Sequence, residues 1–221
     1  MPKKQFSYDE SNTPHKIELR NLKSFSSGYH RDSYLHPHDT GKILKITRRQ
    51  PQQVREGIFG LRRGVAIDPN QLEYDMWQKL KANGHDKSGY FSQVYGWLDT
   101  DIGRALCVER LVSDLDFPPI VLKTLNANKS KQLDQELKQF ILSSIDEFFE
   151  YVVNHTIYSC AWRLENIAIC RQNGQFVLKS FDTKEITVRE WVPVSRYFRS
   201  VLRRKIRRRT GKLRDHLRSV L

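Results

Sequence analysis

The sequence predicts an α+β fold in two lobes, sheet-rich in the first half and helical in the second. Three observations carry this. Residues 17–47 and 90–111 contain short apolar runs broken by Gly, Pro, Asp and His turns, the pattern of antiparallel strands. From Lys131 to Val153, residues such as Leu137, Ile141, Ile145, Phe148 and Val152 recur at the helical period, so a long helix with one buried face is expected. Residues 167–178 then read as a hairpin around Gln172-Asn173-Gly174-Gln175. Strands gathered early and helices late argue for α+β rather than alternating α/β.

Taken in order, residues 1–16 are polar, carry Pro2 and Pro14, and read as a flexible arm. Ile17-Glu18-Leu19 alternates, Ser24 to His30 is turn-forming, and Ser33-Tyr34-Leu35 leads into the polar turn His36 to Gly41. Lys42 to Ile46 reads as the next strand. Residues 48–68, polar and basic with three glycines, read as a loop or insertion of low order. Asp68-Pro69-Asn70 is a helix start, with Pro in the first turn. Along Gln71 to Ala82, Glu73 shares a stripe with Trp77 and Leu80. A carboxylate on an inward stripe needs a partner. Tyr90 to Leu98 and Arg104 to Leu111 read as strands around a turn at 99–103, and Pro118-Pro119 marks a break. The units are then an arm at 1–16, lobes at 17–111 and 112–195, and a basic amphipathic helical tail at 196–221.

At 221 residues the chain fits one domain or a tight two-lobed one. Aromatic residues spread along its length exclude disorder of the whole. No run of 18 apolar residues exists, so no membrane-spanning helix is expected. Met1-Pro2-Lys3-Lys4 is followed by polar residues, which argues against a secretory leader. Cys107, Cys160 and Cys170 have no metal-ligand spacing and read as free thiols of a cytoplasmic protein. His36-Pro37-His38 has no acidic or cysteine partner and reads as a turn.

The net charge of +13 is unevenly placed: Arg189 to Leu221 holds twelve Arg and Lys against Glu190 and Asp215, a net +10. Apolar residues are interleaved among the arginines, including Leu202, Ile206, Leu213 and Leu217. That stripe predicts packing, while the arginine face predicts an anionic partner. The partner is either the inner-membrane surface or another polyanion. Nothing in the sequence makes a case for sequence-specific nucleic-acid recognition.

The candidate chemistry is that of phosphate transfer. A kinase needs a strand lysine on the phosphates, a helix glutamate to hold it, and a loop asparagine and a later aspartate for metal. Lys45, in Leu44-Lys45-Ile46, is the strand candidate, with Lys42 as competitor. Glu73 is the helix candidate, with Glu56 the weaker rival. Trp162-Arg163-Leu164-Glu165-Asn166-Ile167 resembles the Leu-Lys-Pro-Glu-Asn-Ile stretch of kinase catalytic loops, which assigns Asn166 to metal. Asp182, one hairpin later, falls where the Asp-Phe-Gly aspartate belongs, but Thr183-Lys184 follows it.

The chain resembles the YrbL family, small bacterial proteins of the PhoP regulatory network that look like protein kinases. The resemblance rests on Ser27-Gly28-Tyr29-His30-Arg31-Asp32-Ser33-Tyr34-Leu35-His36-Pro37, Leu44-Lys45-Ile46, Leu72-Glu73-Tyr74 and Arg163 to Ile167, and spans roughly residues 22–195. It implies a compact bilobal kinase-like fold that binds ATP with Mg2+. Gly28, Lys45, Glu73 and Glu109 fall in the nucleotide-binding set. Asn166 and Asp182 fall on metal, and Arg163 on the transferred phosphate. The acceptor is not implied. Two departures weigh against transfer: the catalytic-loop aspartate position holds Ala161, and the glycine-rich loop is reduced to Gly28. A general base contributes about 10²–10⁴-fold. An active kinase, a nucleotide-gated pseudokinase and a basic binding protein are therefore the competing expectations.

Overall fold

Alternation in the first half builds one antiparallel sheet, and the long periodic helices of the second half pack against each other. The computed structural model describes residues 16–27, 30–48, 55–56, 62–63, 68–159, 162–184 and 198–221. Residues 1–15 of the arm expected at 1–16, and Gly28, Cys160 and Ala161, lie outside these. In chain order the strands are β1 (Ser26–Ser27), β2 (Arg31–Leu35), β3 (Lys42–Thr47), β4 (Arg55–Glu56), β5 (Arg62–Arg63), β6 (Val94–Thr100), β7 (Gly103–Glu109), β8 (Ile120–Val121), β9 (Ile167–Gln172) and β10 (Gln175–Ser180). The helices are α1 (Pro69–Ala82), α2 (Ala127–Ser130), α3 (Gln135–Asn154) and α4 (Arg199–Val220). This is the α+β composition with an antiparallel sheet that the sequence predicts.

The main sheet has the order β1-β2-β3-β7-β6 and a second has β10-β9-β8. Strand register sorts the side chains of the main sheet. Tyr34 faces Leu44, Leu44 faces Cys107 and Ile46 faces Ala105. These residues form a small outer core closed by Leu19, which is fully buried. The Ile17–Leu19 segment is fastened there by Asp101, whose carboxylate accepts from the Leu19 N–H at 2.7 Å and the Arg20 N–H at 3.1 Å. On the opposite face, Arg31 pairs with Thr47, and Ser33 with Lys45. This is the face that meets α1.

Helix α1 starts as Asp68-Pro69 predicts: the Asp68 carboxylate accepts from the Asn70 N–H at 2.9 Å and Pro69 takes the first helical position. Its buried residues are Asn70, Glu73, Met76, Trp77 and Leu80. Helix α3 begins at Gln135, not Lys131, because the Asp134 side chain caps it on the Leu137 N–H at 2.7 Å. Residues 48–68, expected as a loop, contain the antiparallel pair β4–β5. Strands of two residues leave no alternation to read. The β9–β10 turn is Asn173-Gly174, both at positive φ (52° and 78°), as a two-residue type I′ turn requires.

The large core runs from Met76, Trp77 and Leu80 of α1 through Ile141, Ile145 and Phe148 of α3 to Ile206 and Leu217 of α4. The basic tail helix is therefore part of this core. Its apolar stripe, Leu202-Ile206-Leu213-Leu217, is covered by α3 and its neighbours. No helix among the described residues is long and apolar enough to cross a membrane.

Candidate functional site

Three separate elements bring charge to one point. From β3 comes Lys45, from α1 comes Glu73, and from the segment after β10 comes Asp182. The alternation of β3 turns Leu44 outward, so it turns Lys45 inward, where it is 7% exposed. The helical period turns Glu73 to the same place, 2% exposed. Their side chains meet, Lys45 Nζ donating to Glu73 Oε1 at 2.6 Å. Lys45 Nζ also lies 3.6 Å from Asp182 Oδ1. The competitor Lys42 is elsewhere, on Asp39 at 2.8 Å and over the Tyr95 ring.

Arg31, at the start of β2, joins the cluster. Its Nη1 donates to Glu73 Oε2 at 2.5 Å and to Asn70 Oδ1 at 3.0 Å, and its Nη2 contacts Asp182 Oδ1. Lys184 Nζ takes the other Asp182 oxygen at 2.8 Å. Asn70 closes the base, donating from Nδ2 to the Lys45 carbonyl at 2.8 Å. Three cations thus surround two carboxylates. Burial pushes the Glu73 carboxyl up, but the flanking Lys45 and Arg31 charges outweigh it and hold the group at about 2. Burial pushes the Lys45 ammonium down to about 8, against the pull of Glu73 and with the push of Arg31. The asymmetry follows from one carboxylate serving two cations.

Asp182 is held in an uncommon conformation, φ 56°, a region that non-glycine residues seldom enter. Its neighbours fix it there. Ser180 N–H donates to the Tyr90 carbonyl at 2.7 Å, and Ser92 N–H to the Ser180 carbonyl at 2.9 Å, tying β10 to the strand entering the main sheet. Beyond Asp182, Ser159 Oγ donates to the Lys184 carbonyl at 2.7 Å and accepts from its N–H at 3.1 Å. Left-handed residues over-determined in this way cluster at functional sites.

The Phe181 N–H donates to the Asn166 carbonyl at 2.9 Å, which sets the Asn166 backbone beside the Asp182 segment. Asp182 and Asn166 offer the hard oxygen donors that Mg2+ takes. Among the described residues no group of three or more His, Cys, Asp or Glu could hold a metal ion. A divalent ion here therefore fits only with phosphate oxygens and water completing its shell, which is how Mg2+ is usually held.

Two expected site residues stand apart from this cluster in their contacts. Arg163 is exposed and pairs with Glu165 at 3.2 Å, which Lys123 also holds at 2.7 Å. These two cations keep the Glu165 carboxyl below its ordinary range. Glu109, ending β7, accepts from the Gln93 N–H at 2.8 Å and lies 3.7 Å from Lys179. Three members went unnamed as site residues in the sequence: Arg31, Asn70 and Lys184. The signal for Arg31 is its place two residues before Ser33 on β2, since Ser33 lies opposite Lys45.

The chain is thus an α+β protein whose main sheet, first helix and second sheet converge on a buried ion cluster. It belongs to the family described as PhoP regulatory network protein YrbL, whose model matches residues 17–218. No curated protein matches the chain.

Proposed function

We propose that the chain is a kinase-like protein of bilobal architecture that binds Mg-ATP where β3, α1 and the segment after β10 meet. The observation that carries this reading is the buried Lys45–Glu73 pair at 2.6 Å with Asp182 3.6 Å from the same ammonium. A lysine kept charged and immobile by a helix carboxylate is what gripping a polyphosphate requires, and a neighbouring aspartate is what a phosphate-bound Mg2+ requires. In this reading Lys45 and Glu73 form the phosphate grip, and Asp182 and Asn166 take the metal. Gly28 and Glu109 complete the nucleotide-binding set, and Arg163 neutralises charge on the far side of the γ-phosphate. The bound metal supplies charge neutralisation along the phosphates.

Thermal denaturation with Mg-ATP tests it on the unaltered protein, Lys45→Ala and Asp182→Ala. The unaltered protein is expected to gain about 2.7 kcal/mol at a ligand concentration a hundred times Kd, and the variants to gain far less. Mg-ATP leaving all three midpoints unmoved sinks the nucleotide reading. Ala161 favours a second reading, a pseudokinase that uses nucleotide binding to regulate a partner, because alanine neither accepts a proton nor orients a hydroxyl. Incorporation of label from radioactive ATP, into the chain or an added acceptor, separates the two.

The proposal extends to location. The apolar stripe of α4 is buried in the core, so the helix does not lie in a membrane on that face. Arg204, Arg207, Arg208 and Lys212 remain exposed, which supports a purely electrostatic contact with an anionic membrane surface from the cytoplasm. Co-sedimentation with phosphatidylglycerol vesicles is expected at low salt and lost at high salt. Equal binding by a variant with these four residues changed to Glu contradicts the contact.

A further inference from the structure

The nucleotide reading gives no task to two cations of the junction, Arg31 and Lys184, and Arg31 is the more deeply buried of them. It is largely buried, with 11% of its side chain exposed, and it bridges two carboxylates from different elements, Glu73 of α1 and Asp182 after β10. Lys45 already neutralises Glu73, and Lys184 already pairs with Asp182. With Arg31 the cluster holds three positive groups against two negative ones. Desolvating a further charge is costly and seldom gains stability over an apolar replacement. A surplus buried cation is instead what an arriving anion would neutralise.

Register gives the direction. Arg31 faces Thr47 and Ser33 faces Lys45, so Arg31 and Lys45 emerge from the same face of adjacent strands. Asn70, fixed by its bond to the Lys45 carbonyl, steadies the guanidinium at 3.0 Å. The planar fork of arginine binds phosphate oxygens through two parallel N–H groups, which an ammonium cannot do.

We propose that Arg31 is a phosphate-binding residue of this site. Its guanidinium exchanges Asp182 for oxygens of a polyphosphate chain and thereby frees that carboxylate for a divalent cation. No covalent bond changes in the exchange. The inference rests on the nucleotide reading and adds to it a residue that selects for the phosphates over the nucleoside.

Isothermal titration of ATP, AMP and adenosine into the full chain, Arg31→Gln and Arg31→Lys tests this, with thermal melts confirming that each variant is folded. Arg31→Gln is expected to weaken ATP by about tenfold or more, the value of a charge-assisted bond to phosphate, and to leave adenosine unchanged. Arg31→Lys, which keeps the charge and loses the fork, is expected to fall between. An unchanged ratio of ATP to adenosine affinity in Arg31→Gln overturns the proposal. If Arg31→Gln does not fold, the same ratio in Arg31→Lys decides, a fall supporting the proposal and no change overturning it. Failure of the unaltered protein to bind any of the three ligands is a different result. It removes the nucleotide reading itself, and this inference with it.

Discussion

Two charge clusters in this molecule use the same chemistry in opposite settings. At the junction of β3, α1 and the segment after β10, Arg31, Lys45, Glu73 and Asp182 meet with Glu73 and Lys45 almost wholly buried. At the seam of α3 and α4, Arg214 and Arg218 meet Asp146 at 2.6 and 2.8 Å, with Arg218 about half exposed. The seam would hold without its ions, because Ile206 and Leu217 are fully buried beside them. The junction also has buried apolar neighbours, Met76, Trp77 and Leu80 of α1, but there the charges themselves are buried. Its centre is ionic, and every group in it depends on another. Buried charge is retained at a cost in stability, and the cost is concentrated where a ligand is proposed to bind.

The largest effect should follow from breaking the junction. Glu73→Ala leaves two buried cations, Lys45 and Arg31, sharing Asp182 as their remaining carboxylate in the cluster and should destabilise the fold by about 3–5 kcal/mol, measured by urea denaturation. The acid limb of stability sharpens the assignment. The folded Glu73 carboxyl sits at about 2 against an ordinary 4.5. Between those values the unfolded chain binds the proton and the folded chain does not, so stability falls as pH falls. The contribution is complete above about pH 4.5 and amounts to about 3 kcal/mol. Glu73→Gln should flatten that limb; a limb of unchanged depth would place its origin in other carboxylates.

Much of the junction was legible in the sequence because periodicity alone aims side chains. Leu44-Lys45-Ile46 on a strand that buries Leu44 outward must send Lys45 inward, and the Glu73-Trp77-Leu80 stripe must send Glu73 to the core. The β9–β10 hairpin was equally legible, since Asn173-Gly174 tolerates the positive φ that its turn needs. Arg31 was not. A charged residue at the start of a strand reads as exposed, and only the register, Arg31 opposite Thr47 and Ser33 opposite Lys45, shows which way it points. For α3 the apolar period predicts a start near 131 rather than 135, because it reports a helix's face and not its end. The Asp134 cap fixes the end. For α4 the stripe was visible, but the depth of Ile206 and Leu217 depends on α3, more than fifty residues away in sequence.

Smaller effects belong to the seam. Ile206→Val removes one methylene from a fully buried side chain and should cost about 0.5–1.5 kcal/mol. Equilibrium denaturation with a full-length variant measures it, and no loss would mean that α4 does not pack on α3 in solution.

Arg218→Ala should do least. Its guanidinium donates to Asp146 at 2.8 Å from a side chain about half exposed, and Arg214 continues to neutralise the same carboxylate. Exposed pairs contribute about 0.2–1 kcal/mol, so the loss should lie in that range and shrink as salt is raised towards 1 M, where charges are screened within about 3 Å. Glu73→Ala should show little such shrinkage, because mobile ions do not reach a carboxylate that is 2% exposed. Equal salt sensitivity in the two variants would mean that the junction is hydrated rather than dry. The dependence of each group on its neighbours would then be no stronger there than at the seam.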